Sequence, residues 1–142
     1  MDNKKKKHAV FLCTYHVIFV TKYRKPVISN MIGDELKNYT DYLLCEAGCE
    51  LISAETDRDH IHFLMSLPPD MAPTTIIRML KTQLSKHVKQ YHHDHFRKYY
   101  FTDDTPLWSP SYFIATTGSV SLEKVREYVN NQRSEEHQSK RK

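Results

Sequence analysis

Long apolar runs and paired cysteines are both absent from this chain of 142 residues. No stretch of about 18 apolar residues occurs, and no apolar segment follows the basic run Lys4–Lys7, so the sequence predicts neither a membrane span nor a signal peptide. Cys13, Cys45 and Cys49 show no CxxC or zinc-finger spacing, which argues against a disulfide framework and against a cysteine–zinc site. We therefore expect a cytoplasmic protein with reduced thiols.

The length suits one compact domain that buries its own core. We expect a single domain over residues 1–142, with a basic tail over 1–8 and a charged tail over 134–142. The net charge is +4, and its basic residues are clustered, which fits a polyanionic partner. A lysine-rich solvated surface explains most of these charges equally well. Charge alone therefore only suggests nucleic acid.

Apolar periodicity divides the chain into alternating strands and helices. The run VFLCTYHVIFVT is rich in β-branched and aromatic residues, as in a buried strand. Other segments repeat apolar residues every three or four positions, as helices do. The predicted elements are strands over 10–21, 49–55, 60–67 and 111–116, and helices over 30–48, 73–91 and 119–133. Arg58-Asp59 forms the connection of a hairpin between the second and third strands.

The order βαββαβ predicts the ferredoxin-like fold of the α+β class. Its antiparallel sheet carries both crossover helices on one face, because the crossovers are right-handed. The other face is left open, and a final helix follows the fourth strand. We therefore look for function on the open face.

The segment His92–Pro110 is predicted to be an irregular polar loop. The run His92-His93-Asp94-His95 resembles a metal-binding segment, but consecutive histidines do not share a face, and the basic residues Arg97 and Lys98 would oppose a cation. Trp108 either stacks on a base or closes the edge of the core, and the sequence leaves both readings open.

Two histidines lie two positions apart on the third predicted strand. His60 and His62 therefore project from one face, while Ile61 and Phe63 project from the other. Since the apolar set must face the helices, the histidines face the open side, close enough together to bind one metal ion. Taken alone, the pair is more often polar surface than a metal site.

On the last predicted helix, Tyr128 and Gln132 lie four positions apart and share a face. The spacing places a phenol and a carboxamide one above the other on that face. Taken alone, the pair is better explained by packing of Tyr128 with Val125 and Val129 as an apolar stripe, with Gln132 as an ordinary exposed helix former.

These features occur together in a known arrangement. A His-hydrophobe-His strand in a ferredoxin-like order, preceded by YHVIFVTKYRKPVI and followed by WSPSYFIATTGSVSLEKVREYVNNQ, resembles the single-tyrosine HUH transposases of the smallest insertion sequences, the IS200-like transposases. The likeness runs from about His8 to Gln132. It implies an enzyme that cleaves and rejoins single-stranded DNA at insertion-sequence ends through a covalent 5′-phosphotyrosine, after recognising subterminal hairpins.

The resemblance also assigns roles to individual residues. It implies that Tyr128 is the nucleophile and that His60, His62 and Gln132 hold the metal, with Gly118 as a hinge before the tyrosine helix. Imidazole suits Mn²⁺ better than Mg²⁺, whereas the amide and DNA oxygens suit both, so we expect either ion. The family further implies a homodimer that exchanges tyrosine helices between subunits.

Single strands are gripped by cations along the backbone and by aromatic rings under the bases. Two basic groups are candidates for this role, one after the first strand and one on the second helix, although each residue is equally well explained as a solubilising charge. They are Lys22, Tyr23, Arg24 and Lys25, and Arg78, Lys81, Lys86 and Lys89.

Two other functions compete with transposition. A domesticated relative would process repeated palindromes in its host genome with the same chemistry, and only the flanking DNA separates it from a mobile element. A non-catalytic ferredoxin-like module would bind single-stranded nucleic acid through aromatic residues on the open face. The histidines on the third strand argue against the second alternative.

Overall fold

A computed structural model describes residues 13–116 and 127–131 of the chain. The helices are α1 (Asn30–Glu46), α2 (Pro73–Tyr91) and α3 (His93–Arg97), and residues 127–131, here called the C-terminal segment, are also helical. The strands are β1 (Cys13–Val20), β2 (Glu50–Asp57), β3 (His60–Leu67) and β4 (Phe113–Thr116). No helix in these two ranges is long and apolar enough to cross a membrane.

The four strands form one antiparallel sheet in the order β2-β3-β1-β4. This is the arrangement predicted from the sequence, and it confirms the ferredoxin-like α+β fold. The central strands β1 and β3 pair from Cys13↔Leu67 to Val20↔His60. The start of β3, which carries the two histidines, therefore lies beside the end of β1.

Helices α1 and α2 cover one face of the sheet. Ser29 caps α1 by accepting a hydrogen bond from the Ile32 amide (3.2 Å), and Gly48, with φ of 79°, follows the end of the helix. Pro73 begins α2, where a missing N–H is tolerated. The two helices and the sheet share one core, which includes Ile32, Leu36, Ile76, Leu80, Leu84, Val88, Ile61, Phe63, Met65 and Leu67.

A glycine allows α1 to approach β2 closely. A Cβ added at Gly33 would lie 2.5 Å from Thr56 Oγ1 and 3.3 Å from Thr56 Cβ. Threonine is stiff at χ1, so its hydroxyl cannot move away without a change of rotamer. The absence of a side chain at Gly33 therefore allows the short distance between α1 and the edge strand β2.

The segment after α2 is more ordered than the sequence predicted. Residues His93–Arg97 form α3, whose Phe96 is fully buried, so the prediction of an irregular loop over 92–110 is wrong at this point. The turn is too short for apolar periodicity to reveal it. Trp108 is 3% exposed and packs on Phe19, with ring centroids 5.4 Å apart, so it belongs to the core and does not stack on a base.

The second face of the sheet is partly covered. Ile18 and Val20 point away from α1 and α2, yet both are fully buried, and Val129 of the C-terminal segment packs against them. Phe113 and Tyr128 flank this small cluster. The C-terminal segment thus lies on the same face as the histidine pair.

Candidate active site

His60 and His62 lie at the start of β3, alternating with the fully buried Ile61 and Phe63. Since Ile61 and Phe63 belong to the core beneath the helices, both histidines are on the opposite face. This is the face on which the C-terminal segment lies. The location follows from the two-residue period of the strand.

An ion pair orients His60. Its Nδ1 lies 2.9 Å from Asp59 Oδ1, and Arg24 donates to Asp59 Oδ2 from Nε and Nη2, both at 2.6 Å. Burial raises the pKa of Asp59, but hydrogen bonds from His60 and Arg24 outweigh this, and its pKa is below the usual value. A carboxylate acceptor holds the proton on Nδ1 and leaves the Nε2 lone pair of His60 to bind a metal.

His62 has a histidine neighbour on β1. His16 Nδ1 lies 3.0 Å from His62 Nε2, and the two ring centroids are 5.2 Å apart. Burial, and secondarily the charge of His16, lowers the pKa of His62. The neutral imidazole, which is the form that binds metal ions, is therefore favoured.

Sequence reasoning missed His16. The residue that pairs with His62 is Ile18, and His16 reaches the histidine pair from the diagonal position. The two-residue period places His16, Ile18 and Val20 on one face, but only the register of β1 against β3 shows that this face meets His62. A sequence provides the first fact and not the second.

Tyr128 is half-buried in the C-terminal segment. Its ring packs on Phe113 of β4, with centroids 5.3 Å apart, and its hydroxyl lies 3.4 Å from Ser111 Oγ. Val129, 7% exposed, anchors the same segment on β1. The helix pattern alone predicted that Tyr128 packs, whereas the resemblance predicted that it is the nucleophile. It packs here with its hydroxyl beside Ser111, and its role as nucleophile stays a prediction.

The pairing of strands gives the spacing between His62 and Phe113, the ring on which Tyr128 packs. His62 pairs with Ile18, and Ile18 pairs with Phe113 on the other side. At about 4.8 Å per strand, Phe113 is roughly 10 Å from His62. Tyr128 therefore shares a face with His62, and the Phe113 ring on which it packs belongs to β4, two strands from β3.

Arg24 contacts both halves of the site. Besides its bonds to Asp59, its Nη1 donates to the carbonyl oxygen of Val129 at 3.4 Å. The turn that carries it is in the left-handed region, with φ of 58° at Tyr23 and 50° at Arg24. Such conformations are costly outside glycine and tend to occur at functional sites. Arg24 links the turn before β3 to the segment that bears Tyr128.

Two of the predicted DNA-binding cations make hydrogen bonds to other residues of the chain. Arg24 is one, and its side chain is only 15% exposed. Lys81 is the other, because its Nζ donates to the carbonyls of Ser109 (2.9 Å) and Pro110 (3.2 Å), and burial lowers its pKa. Both therefore have structural roles that the charge pattern did not reveal.

The remaining DNA-binding candidates fall into two places. Beside β1, Tyr23 is 38% exposed and Lys22 Nζ lies 5.0 Å from its ring centroid, with Lys25 next in the turn. On α2, across the sheet from the histidines, Arg78 and Lys86 are exposed, and Lys89 lies over the Phe96 ring. Gln132 and Gly118 lie outside the described residues.

Known proteins share this sequence pattern and fold. The family model described as "Transposase IS200 like" matches residues 9–132. The ISDra2 transposase TnpA of Deinococcus radiodurans is 27% identical over 136 residues, covering 96% of this chain and 95% of the relative. The transposase of insertion sequence element IS200 from Salmonella typhimurium is 28% identical over 140 residues, covering 95% and 86%.

Solved structures agree with these matches. The crystal structure of a putative transposase from Deinococcus radiodurans superposes with a TM-score of 0.77 at 26% identity, covering 87% of this chain and 93% of that one. A REP-associated tyrosine transposase bound to a REP hairpin gives a TM-score of 0.53 at 13% identity, which supports the fold alone. Because the family model spans nearly the whole chain and the fold agrees, this protein belongs to the IS200-like transposase family.

Proposed function

We propose that this protein cleaves and rejoins single-stranded DNA at insertion-sequence ends through a covalent tyrosine intermediate. The observation that carries the proposal is the placement of Tyr128 and of the His60–His62 pair on one sheet face, bridged by Arg24. Membership of a transposase family supports a DNA-processing enzyme. The proposed nucleophile is Tyr128.

The proposed step conserves the energy of the phosphodiester. The phenol oxygen of Tyr128 bonds to phosphorus, the bond from phosphorus to the 3′ oxygen breaks, and the departing strand leaves as a 3′-OH. The DNA 5′ end stays on the protein as a phosphotyrosine, which a different 3′-OH can attack in reverse. A phenol has an unperturbed pKa of about 10, so its proton must pass to an acceptor during attack.

The histidine pair fits a divalent ion, and we propose Mg²⁺ or Mn²⁺. Asp59 orients His60, and His62 favours its neutral form, as metal ligands require. In the described part of the chain no third His, Cys, Asp or Glu joins this pair in a cluster, and we assign the third position to Gln132. When bound, such an ion would neutralise charge on the phosphate oxygens.

Tyr128 packs on a ring of β4, a strand that does not border the strand of His62. Phe113, the ring on which Tyr128 packs, lies roughly 10 Å from His62 by strand spacing, and we propose that the tyrosine moves closer to the histidine pair for reaction. We propose that Gly118 is the hinge and that the active form is a homodimer in which tyrosine helices are exchanged. The small cluster around Val129 would be the contact that is released.

For substrate recognition we propose a DNA hairpin near the cleavage site. The fold of the REP-associated transposase has been solved on a REP hairpin, which supports a hairpin ligand for this architecture. Lys22, Tyr23 and Lys25 combine cations with an exposed ring, as single-strand binding needs. Arg78, Lys86 and Lys89 form a second basic surface on α2, and Arg24 and Lys81 would contribute to DNA binding less directly.

The test is covalent adduct formation. Wild-type protein with Mg²⁺ or Mn²⁺ and end-labelled single-stranded DNA from its own locus should yield a protein–DNA adduct on the 5′ side. Tyr128→Phe and His62→Ala should both abolish it. Tyr42→Phe is the matched control, because Tyr42 is 59% exposed on α1, away from the site, and this variant should form adduct normally.

Exchange of helices has its own test. A mixture of Tyr128→Phe and His62→Ala proteins should recover adduct formation, because one dimer then contains one intact composite site. Recovery that does not exceed the sum of the two single variants would contradict exchange and leave the tyrosine acting within its own subunit.

Two alternatives remain distinguishable. Tight binding of a hairpin with no adduct on any strand would contradict the proposed enzymatic activity. It would favour a non-catalytic binding module. A domesticated relative would form the adduct, but its locus would lack paired terminal hairpins at the two ends of an element.

A further inference from the structure

Three potential metal ligands converge on the helix side of the sheet. His87 Nε2 of α2 lies 2.7 Å from Glu35 Oε1 of α1, and His92 Nε2 lies 2.8 Å from the same oxygen. The three ligand atoms are within 4.8 Å of one another, and in the described ranges this is the one group of three or more His, Cys, Asp or Glu side chains arranged in this way.

The local backbone explains how two residues five apart reach one point. In a regular helix such residues project about 140° apart. His92 ends α2 with φ of −135° and ψ of 43°, outside the helical region, while its amide still bonds to the Val88 carbonyl at 2.8 Å. This change of direction at the helix end allows its ring to reach Glu35, beside that of His87.

Sequence reasoning assigned His92 to a polar loop and rejected a metal site among His92–His95. His92 instead belongs to this cluster, whereas His93 pairs with Asp103 and His95 contacts the Val27 carbonyl. The ligands of the cluster come from α1 (Glu35), from α2 (His87) and from the residue that follows α2 (His92), and the sequence does not show the packing that brings them together.

The chemistry of the cluster suits a late transition metal. Two imidazoles and one carboxylate form a zinc-type ligand set, whereas Mg²⁺ prefers oxygen ligands. Tetrahedral zinc with bonds of about 2.0–2.1 Å places its ligand atoms about 3.3 Å apart. Each imidazole would therefore move away from Glu35 by roughly half an ångström. The side chains of His87, His92 and Glu35 are 18%, 14% and 34% exposed, so water can supply a fourth ligand.

We propose that Glu35, His87 and His92 form a second metal site, for Zn²⁺ or a similar late first-row ion, which joins α1 to the end of α2. The site is separate from the His60–His62 pair, since it lies on the helices that cover the opposite face of the sheet. Its role is to hold the helix layer together, independently of the transposase chemistry.

The experiment uses the full chain without a histidine tag, carrying His60→Ala and His62→Ala so that the other pair cannot bind. Titration with Co²⁺ should give one equivalent bound, with the intense visible absorption of a four-coordinate nitrogen–oxygen site, and Zn²⁺ should displace it. In this background, Glu35→Gln and His87→Gln should each weaken Co²⁺ binding by about 100-fold or more, because loss of even an outer partner of a ligand costs about 10–100-fold.

The matched control is His93→Ala, next to His92 but paired with Asp103 at the surface, and it should bind Co²⁺ normally. Zn²⁺ should also raise the Tm of the parent by about 5 °C or more, and should leave the Tm of Glu35→Gln unchanged. Circular dichroism verifies that each variant is folded. Absence of Co²⁺ binding in the folded parent, or full binding in either folded ligand variant, would overturn the site and leave only an ion-paired cluster.

Discussion

His16 Nδ1 lies 3.0 Å from His62 Nε2, across the two central strands of the sheet. If the Nε2–H of His62 donates to His16, then Nδ1 of His62 is the atom available to a metal, and His16 fixes that tautomer. The second histidine of the pair would thus be oriented by a neighbouring strand, as the first is by Asp59.

We predict that His16→Ala weakens Mn²⁺ binding at the histidine pair by about 10–100-fold, as loss of an outer partner does. Calorimetric titration in a His87→Ala background, which removes the cluster on the helices, isolates this site. His16→Asn retains an acceptor oxygen and should recover part of the affinity. Tighter binding in His16→Ala would show that His16 competes with the metal for His62.

Arg24→Lys should destabilise the fold and reduce cleavage together. The lysine cannot reproduce the paired bonds from Nε and Nη2 to Asp59 or the bond to the Val129 carbonyl, and the loss should cost about 1–3 kcal/mol in urea unfolding. Arg58→Lys, an exposed change in the adjoining turn, is the control and should be neutral. Unchanged stability with weaker DNA binding would instead identify Arg24 as a phosphate contact.

Val129→Ala should loosen the C-terminal segment without unfolding the domain. Removing two methyl groups from a buried position costs about 1.5 kcal/mol, which is roughly tenfold in the population of the detached segment. Limited proteolysis near residues 127–131 should accelerate by about that factor, while the Tm of the core barely changes, because Val129 belongs to a separate cluster. Asn130→Ala, exposed beside it, should cleave at the wild-type rate.

Gly33→Ala should destabilise the protein by about 1 kcal/mol. Alanine improves helix propensity by about 1 kcal/mol, but the overlap with Thr56 should cost about 1–3 kcal/mol. In a Thr56→Ala background, the 2.5 Å overlap with Oγ1 cannot form and only the 3.3 Å approach to Cβ remains, so the same substitution should become neutral or stabilising. Additive effects in this double-mutant cycle would show that the two residues do not limit the approach of α1 to β2.

Much of the fold could be predicted because it follows from periodicity. Alternation in β3 placed His60 and His62 opposite Ile61 and Phe63, and the spacing of apolar residues gave α2 its stripe. The order of elements then restricted the topology to a ferredoxin-like sheet. Each of these inferences uses only neighbours in sequence.

The contacts that complete the candidate site depend on the register of the strands and on the packing of the helices. A local sequence pattern predicts neither. His16 meets His62 because β1 pairs with β3 in one register out of several. Glu35 meets His92 because α1 packs beside the end of α2. Arg24 looked like a surface cation, and its role became visible only with the positions of Asp59 and Val129.

Trp108 is the only tryptophan of the chain, and it is 3% exposed against Phe19. Its backbone forms a β-bridge with Thr21, and the Thr21 amide donates a hydrogen bond to the Asp59 carbonyl at 2.9 Å. The Trp108 side chain is therefore an intrinsic fluorophore next to the backbone segment that contacts the turn before His60. Its emission should change when this segment unfolds, and no added label is needed to detect the change. Because the ring is buried, a nucleic acid bound at the surface should not quench the emission by stacking.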